Sequence, residues 1–362
     1  SLYERSMKAI HQLLAGFTHG DAISNEAVVM RGIFRSWGFE SEIFSETRRI
    51  LPELRNDAKD VAECKATCKT DDIALLHLSV GSDVNEAFAQ LPCRKAILYH
   101  NITPAEYFAG IQDQIALGLS RGREQAKRLA KTAQVVMADS SFNASELKEW
   151  GYPEGSVLPL VLDLQRLRKH ANRYTKDKCD DGLVNIIFVG RCAPNKKIED
   201  CLSAFYYFQK YVERNSRFIH VGSFAGTEQY HALLLTQQRE LQLNNVDLIG
   251  ATRQDELNAV YKTAKVFLCM SEHEGFCIPL IEAMVHDVPI LAYAAAAVPE
   301  TLDGAGVLVR EKRYDLIAEM MGRLVRDQAL RNAVIQGQRD RLARYEQRDL
   351  AGELRQHLAP VL

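Results

Sequence analysis

The sequence predicts an α/β protein built from two doubly wound, parallel-sheet domains in tandem. Three observations predict it. Short apolar runs rich in β-branched residues alternate with longer helical patterns, which is how βαβ units read in a sequence. The alternation breaks off once and restarts. The length of 362 residues, at about 150 per domain, suits two domains.

In the first half the apolar runs fall at 9–14, 39–44, 73–78, 96–99 and 135–138, with amphipathic stretches such as 25–37 and 109–132 between them. The second half repeats the pattern at 185–190, 218–222, 246–250, 266–270, 289–293 and 307–309. Between the two sets, 152–180 holds two prolines, a basic stretch at 166–178 and no sustained apolar period, so it is expected to be a connection between domains. No solenoid-length repeat or low-complexity segment is present. Ligands of such sheets sit beyond the carboxyl ends of the strands, so two facing domains would enclose a cleft.

Composition narrows the classes. Hydrophobic residues at 47% and charged residues at 25% leave ample apolar material for two cores. Lys+Arg number 45 against 47 Asp+Glu, a net charge of −2, which argues against nucleic acid held by bulk charge. No run approaches the roughly eighteen apolar residues of a membrane span. The first residues lack the basic-then-apolar layout of a signal peptide, and Met7 is read as the native start. Of the eight cysteines only Cys64 and Cys68 are close, and no second pair follows. A zinc site, which needs about four ligands, is therefore disfavoured against reduced cytoplasmic thiols.

The chemistry concentrates in 271–284, Ser-Glu-His-Glu-Gly-Phe-Cys-Ile-Pro-Leu-Ile-Glu-Ala-Met. Gly275 permits a sharp turn after strand 266–270, and Pro279 suits a first helical turn. Backbone N–H groups around Phe276, Cys277 and Ile278 would then face an anion such as a phosphate. Glu274 and Glu282 frame this helix start. Either they bind a ribose or sugar, or they merely favour a helix N-terminus. After strand 185–190 comes Gly190-Arg191, with Lys196 five residues on. A guanidinium and an ammonium there could clamp a diphosphate, or form a solvated basic loop.

Taken together, Glu274 and Glu282 (E-x7-E), Ala283-Met284, Pro289, Val298-Pro299-Glu300, and Gly190-Arg191 with Lys196 resemble the group 1 (family 4) retaining glycosyltransferases of the GT-B fold. The resemblance spans nearly the whole chain. It implies an acceptor-side domain at 1–160, a nucleotide-sugar domain at 161–340, and a C-terminal helix in 341–362 returning to the first domain. Arg191 and Lys196 would neutralise the diphosphate, and Glu282 would bind the ribose. Glu274 and the backbone of Phe276, Cys277 and Ile278 would address the donor sugar, while Gly250 and Thr252 would hold the base. His100 matches the histidine facing the donor sugar. Gly20 lies in the loop near the diphosphate, and Asp21 and Asn101 fall on the acceptor side. Two places depart from the family pattern: Ala294-Ala295-Ala296-Ala297 replaces a glycine-rich turn, and His19-Gly20-Asp21 replaces a Gly-Gly pair.

Several residues keep a plainer reading. Asp21 either touches the acceptor or caps a helix. His273 sits between Glu272 and Glu274, but neighbours in an extended segment point alternately and do not converge on a metal. The basic residues Arg121, Arg123, Lys127, Arg128 and Lys131 form either a solvated helix face or a contact with an anionic membrane surface. The wording of 271–284 and of Tyr99-His100-Asn101-Ile102-Thr103-Pro104 is similar to bacterial polysaccharide and O-antigen transferases. That similarity implies transfer from a nucleotide-diphosphate sugar, GDP-mannose as the favoured donor, to a glycan or lipid-linked acceptor. It implies no metal or other cofactor. A GT-B-like sugar-nucleotide 2-epimerase and a non-catalytic nucleotide-sugar-binding subunit stay as alternatives.

Overall fold

The structure, a computed structural model, describes residues 7–362. The reading of Met7 as the native start rests on residues 1–6, which lie outside the described residues. The chain forms two compact units. Unit 1 comprises the residues up to Glu106, Gln114–Asp163 and Asp349–Leu362; unit 2 comprises Tyr107–Asp113 and Leu164–Arg348.

Unit 1 is built on β1 (Ile10–Leu13), β2 (Ile43–Ser45), β3 (Lys59–Asp60), β4 (Ile73–Leu78), β5 (Arg94–Tyr99), β6 (Val135–Ala138) and β7 (Ser156–Val157). All pair in parallel, in the order β3-β2-β1-β4-β5-β6-β7. Strands β1 and β4 are buried throughout, as expected of a parallel sheet covered on both faces. Alternation then divides the residues between two cores. Leu76 and Ile97 pack with Phe88 and Leu147 on one face, and Leu75 and Leu98 pack with Met30 and Phe34 on the other. The C-terminal helix Leu350–Leu358 adds Leu354 and Leu358 to the second face, each side chain contributing about 1.5–3 kcal/mol by burial.

Unit 2 repeats the plan with β8 (Val184–Val189), β9 (Ser216–Val221), β10 (Val246–Gly250), β11 (Ala264–Cys269), β12 (Ile290–Tyr293) and β13 (Val307–Val309), all parallel, in the order β10-β9-β8-β11-β12-β13. Each sheet reverses its strand order once, between β1 and β4 and between β8 and β11. The carboxyl ends there form the crevice that takes ligands in this fold class. Among the described residues no helix is long and apolar enough to cross a membrane.

The structure departs from the sequence reading in several places. Strands β3 and β7 have two residues each, too short to show a period. The run at 39–44 becomes strand only from Ile43. Gly38, at φ 90°, and Phe39, whose N–H reaches Phe34 O at 3.2 Å, are still closing the helix Ala22–Ser36. The helix expected over 109–132 is Asp113–Arg128, because Tyr107–Asp113 belongs to unit 2. The connection expected at 152–180 is folded: it holds β7 and a helix, Arg173–Cys179, capped by Asn172, whose Oδ1 accepts from Thr175 N at 2.9 Å. The units part at Asp163/Leu164 rather than 160/161. The return to unit 1 starts at Asp349 rather than 341, since helix Gln328–Glu346 is fixed in unit 2 by Gln338, which bonds Ile290 N (2.9 Å) and Val288 O (2.8 Å).

Candidate active site

In unit 2 the site is assembled from the loops that leave β8 and β11, the neighbouring strands at which the order reverses. The glycines at the ends of β8 and β9 are needed for a close approach. A Cβ on Gly222 would lie 1.7 Å from Gly190 O. Beyond Gly190 the chain makes a single tight turn, Pro194–Lys196. It then passes through left-handed Lys197 (φ 51°) into helix Ile198–Tyr207. Beyond β11 the chain runs to Cys277, also left-handed (φ 75°), which starts helix Ile278–Val285 with Pro279 in its first turn. No side chain caps that helix, so its first N–H groups keep their capacity for an anion.

Three bonds stitch the two loops together. Glu272 N donates to Asn195 O (3.0 Å), Asn195 Nδ2 donates to His273 O (3.1 Å), and Lys196 Nζ donates to Glu274 Oε1 (2.6 Å). Lys312 braces the outer side, bonding both Glu272 (2.8 Å) and Asp200 (2.7 Å). The four-alanine turn also takes part: Ala297 N donates to Glu274 O at 3.2 Å, and Thr301, just beyond it, donates its hydroxyl to Phe276 O.

The electrostatics follow from these contacts. Burial pulls the Lys196 ammonium down, but the Glu274 carboxylate outweighs it and holds the lysine above its ordinary value. Glu282 is buried, which pushes its carboxyl up against the opposing effect of Arg166 and Tyr261. Arg166 Nη2 donates to Glu282 Oε2 at 2.8 Å, and the Tyr261 hydroxyl donates to Oε1 at 3.0 Å. Cys269 and burial together hold the Cys277 thiol neutral. Arg191 is exposed, with Nη2 3.5 Å from Ala225 O. At the end of β10, Gly250 takes φ 85°, its carbonyl accepting from Gly222 N at 2.9 Å, and Thr252 is half-buried beyond it.

In unit 1, Asp21 caps the helix Ala22–Ser36, its Oδ2 accepting from Ser24 N and from Ser24 Oγ at 2.8 Å each. Gly20 provides the positive φ (71°) of the preceding turn. His100, just past β5, bonds Asp139 through Nδ1 (2.8 Å) and His77 through Nε2 (2.9 Å). Asn101 sits at φ 85° and donates to Asn143 Oδ1 and Glu146 Oε1, both at 2.9 Å. Glu26, His77 and His100 bring three possible ligand atoms within 4.8 Å of one another, the one such group among the described residues.

Residues 176–341 match the family model described as glycosyl transferases group 1. This part of the chain is similar to the group 1 glycosyltransferases. A relative of known role, O-antigen chain mannosyltransferase B of Escherichia coli, is 24% identical over 146 residues, which cover 40% of this chain and 38% of that protein. The match thus spans well under half the length of that relative. Among solved structures, sucrose-phosphate synthase from Thermosynechococcus elongatus aligns over 98% of this chain and 100% of its own, with a TM-score of 0.71 at 16% identity. HepE of Anabaena, solved in complex with UDP-glucose, aligns over 98% and 99%, with a TM-score of 0.68 at 17% identity. At these identities the likeness establishes the fold, which is GT-B: two Rossmann-like parallel sheets with flanking helices.

Set against what a group 1 enzyme leads one to expect, unit 2 brings Gly190, Lys196, Glu274, Phe276, Cys277 and Ile278 into two loops bonded to each other. Arg191 and Lys196 do not converge: Lys196 crosses to Glu274 while Arg191 extends toward Ala225. Glu282 is already bonded through both oxygens, to Arg166 and Tyr261. A carboxylate offers about four lone-pair sites, so capacity for a diol remains. Both ring nitrogens of His100 are engaged inside unit 1, so it has no ring N–H left over for a sugar. Asp21 takes the capping alternative. Within the basic run, Arg123, Lys127 and Arg128 are paired with Glu146, Glu124 and Glu86, which favours the solvated face.

Arg166, Tyr261, Asn195, Lys312 and Thr301 were not legible beforehand. Arg166 comes from the segment that had no periodicity, and only the folded chain carries it to Glu282.

Proposed function

We propose that the protein is a retaining glycosyltransferase that moves a sugar from a nucleotide-diphosphate sugar, GDP-mannose being the donor we favour, to a glycan or lipid-linked acceptor in cell-surface polysaccharide synthesis. The observation that carries this reading is the bonding of the β8 and β11 loops at the strand-order reversal, which gathers Lys196, Glu274 and an uncapped helix N-terminus. The kinship with a mannosyltransferase supports the choice of mannose.

In this reading the bond from the sugar C1 to the diphosphate oxygen breaks as negative charge grows on the leaving phosphate. Lys196 and the N–H groups at Cys277 and Ile278 stabilise that charge, and Arg191 joins them by turning away from Ala225 toward the bound diphosphate, so that this reading needs no metal there. The acceptor hydroxyl attacks the same face of an oxocarbenium-like C1, and the leaving phosphate takes its proton. Glu282 binds the ribose, Glu274 orients Lys196 and the sugar, and Gly250 and Thr252 border the base. Work on a lipid-linked acceptor would bring a cytoplasmic enzyme to the membrane surface.

A UDP-sugar donor is the second reading, favoured by the structural likeness to HepE, which was solved with UDP-glucose. A thermal-shift series with GDP, UDP, ADP and TDP and their sugars, with and without EDTA, tests both. Native-state ligands raise Tm. Selective stabilisation by GDP and GDP-mannose supports the first reading, selective stabilisation by UDP the second, and no response from any nucleotide refutes the donor site. NMR of the product's anomeric centre tests retention, and inversion would overturn the same-face attack.

A further inference from the structure

Unit 1 carries a buried chain of side chains across the carboxyl ends of four strands: Gln12 on β1, His77 on β4, His100 after β5 and Asp139 after β6. Its hydrogens can be counted. Gln12 Nε2 donates to Ala27 O (2.9 Å), so Gln12 Oε1 faces His77 Nε2 (2.8 Å) as an acceptor, and that ring nitrogen must bear a proton. One proton must lie in the 2.9 Å contact between His77 Nδ1 and His100 Nε2, and one more between His100 Nδ1 and Asp139 (2.8 Å). The chain therefore holds three protons on its ring contacts, whereas two neutral imidazoles supply two.

The third proton has two possible homes, an imidazole or Asp139. An ordinary imidazole is more basic than a carboxylate by about 2.6 units, so the imidazole takes it. Between the rings, His77 is wholly buried and repelled by His100, both of which disfavour a charge on it. His100 pairs directly with Asp139. Glu26 Oε1 lies 3.7 Å from its Nε2 and 3.6 Å from His77 Nδ1, and Asp21 adds a more distant negative charge.

We infer that His100 is a permanent imidazolium at neutral pH, with Asp139 and His77 as the positioning residues that fix its ring and its proton. Burial opposes the charge, but Asp139 and Glu26 prevail and the imidazole is held above its ordinary value. A ring protonated on both nitrogens accepts no proton. His100 therefore does not act as a base toward the acceptor hydroxyl, and the proton of the transfer must leave by another route. That last consequence rests on the transferase reading; the protonation state does not.

Two-bond 15N–1H NMR of the histidine-labelled full chain tests the inference, with His100→Gln and His77→Gln used for assignment. The expected result at pH 7 is two protonated ring nitrogens on His100 and the Nε2–H tautomer on His77. A neutral His100 at pH 7, or one equivalent of bound metal between the rings by elemental analysis, would overturn it. Asp139→Asn should lower the His100 midpoint by at least about one unit, and an unchanged midpoint would likewise refute the pairing. In kinetics, kcat should stay flat from pH 6 to 8 in the parent and acquire a pH-dependent limb in Asp139→Asn. A protonated His100 in NMR without any sugar transfer would refute the transferase reading alone.

Discussion

Replacing Lys196 by methionine removes the ammonium but keeps most of the side chain's length, and it strands the Glu274 carboxylate. The pair is close, at 2.6 Å, and poorly exposed, with 18% of the lysine side chain and 8% of the glutamate side chain accessible. At an effective dielectric of about 20 the gross attraction over 2.6 Å is about 6 kcal/mol, most of it offset by desolvation of both ions. Removing one partner of a buried pair costs about 3–5 kcal/mol, because the survivor is left charged. The residual exposure of Lys196 places this pair at the lower end, about 3 kcal/mol. For a unit of this size that corresponds to a fall in Tm of roughly 10 °C. The double variant Lys196→Met/Glu274→Gln removes the stranded charge and should recover at least about half the loss. Calorimetry of the unit 2 transition reads both numbers. A single-variant loss below about 1 kcal/mol, or a double variant no more stable than the single, would refute the pairing and with it the joining of the two loops. In turnover, both variants should lose kcat by more than they lose nucleotide affinity, since charge grows on the leaving group only in the transition state.

Three further outcomes follow from the same geometry. Glu282→Gln should weaken nucleotide binding about tenfold in calorimetric titration and lower Tm by several degrees, because Arg166 loses its ion-pair partner; unchanged affinity would refute the ribose role. Burial pushes His220, whose Nε2 bonds Gly190 O at 2.7 Å, down to about 4 from 6.5. A folded value below the unfolded one means the stabilisation is present above pH 6.5 and lost as pH falls toward 4, by about 3 kcal/mol. Urea midpoints across that window should fall in the parent and flatten in His220→Gln; equal slopes would count against the buried neutral ring. Gly222→Ala drives a methyl into Gly190 O and should cost more than about 3 kcal/mol or abolish soluble expression, whereas a mild loss would mean the ends of β8 and β9 are not so close.

Much of this was legible because it is local or periodic. Apolar runs mark buried parallel strands whatever surrounds them, so the strands with several fully buried residues were placed, while the two-residue β3 and β7 were not. Pro279 after Gly275 announces a helix start without any knowledge of its partners. Gly190, Arg191 and Lys196 could be read as a candidate anion loop for the same reason. Which partner each side chain takes is a different matter, because it depends on residues distant in sequence. Lys196 is expected to face a diphosphate, and the structure adds a partner the sequence does not show, Glu274, 78 positions on. Glu282 is met by Arg166, 116 positions earlier, from a stretch with no pattern to notice. His100 stood out as a residue, but its bond to His77 and the count of protons along the chain to Asp139 exist only once β1, β4, β5 and β6 lie side by side. The sequence by itself determined two wound sheets and where along the chain their ligand-facing loops fall, since short-range pattern and backbone chemistry suffice for that. Tertiary structure alone decided which charges neutralise each other and which imidazole keeps its proton, because those depend on distances and burial that no local pattern encodes.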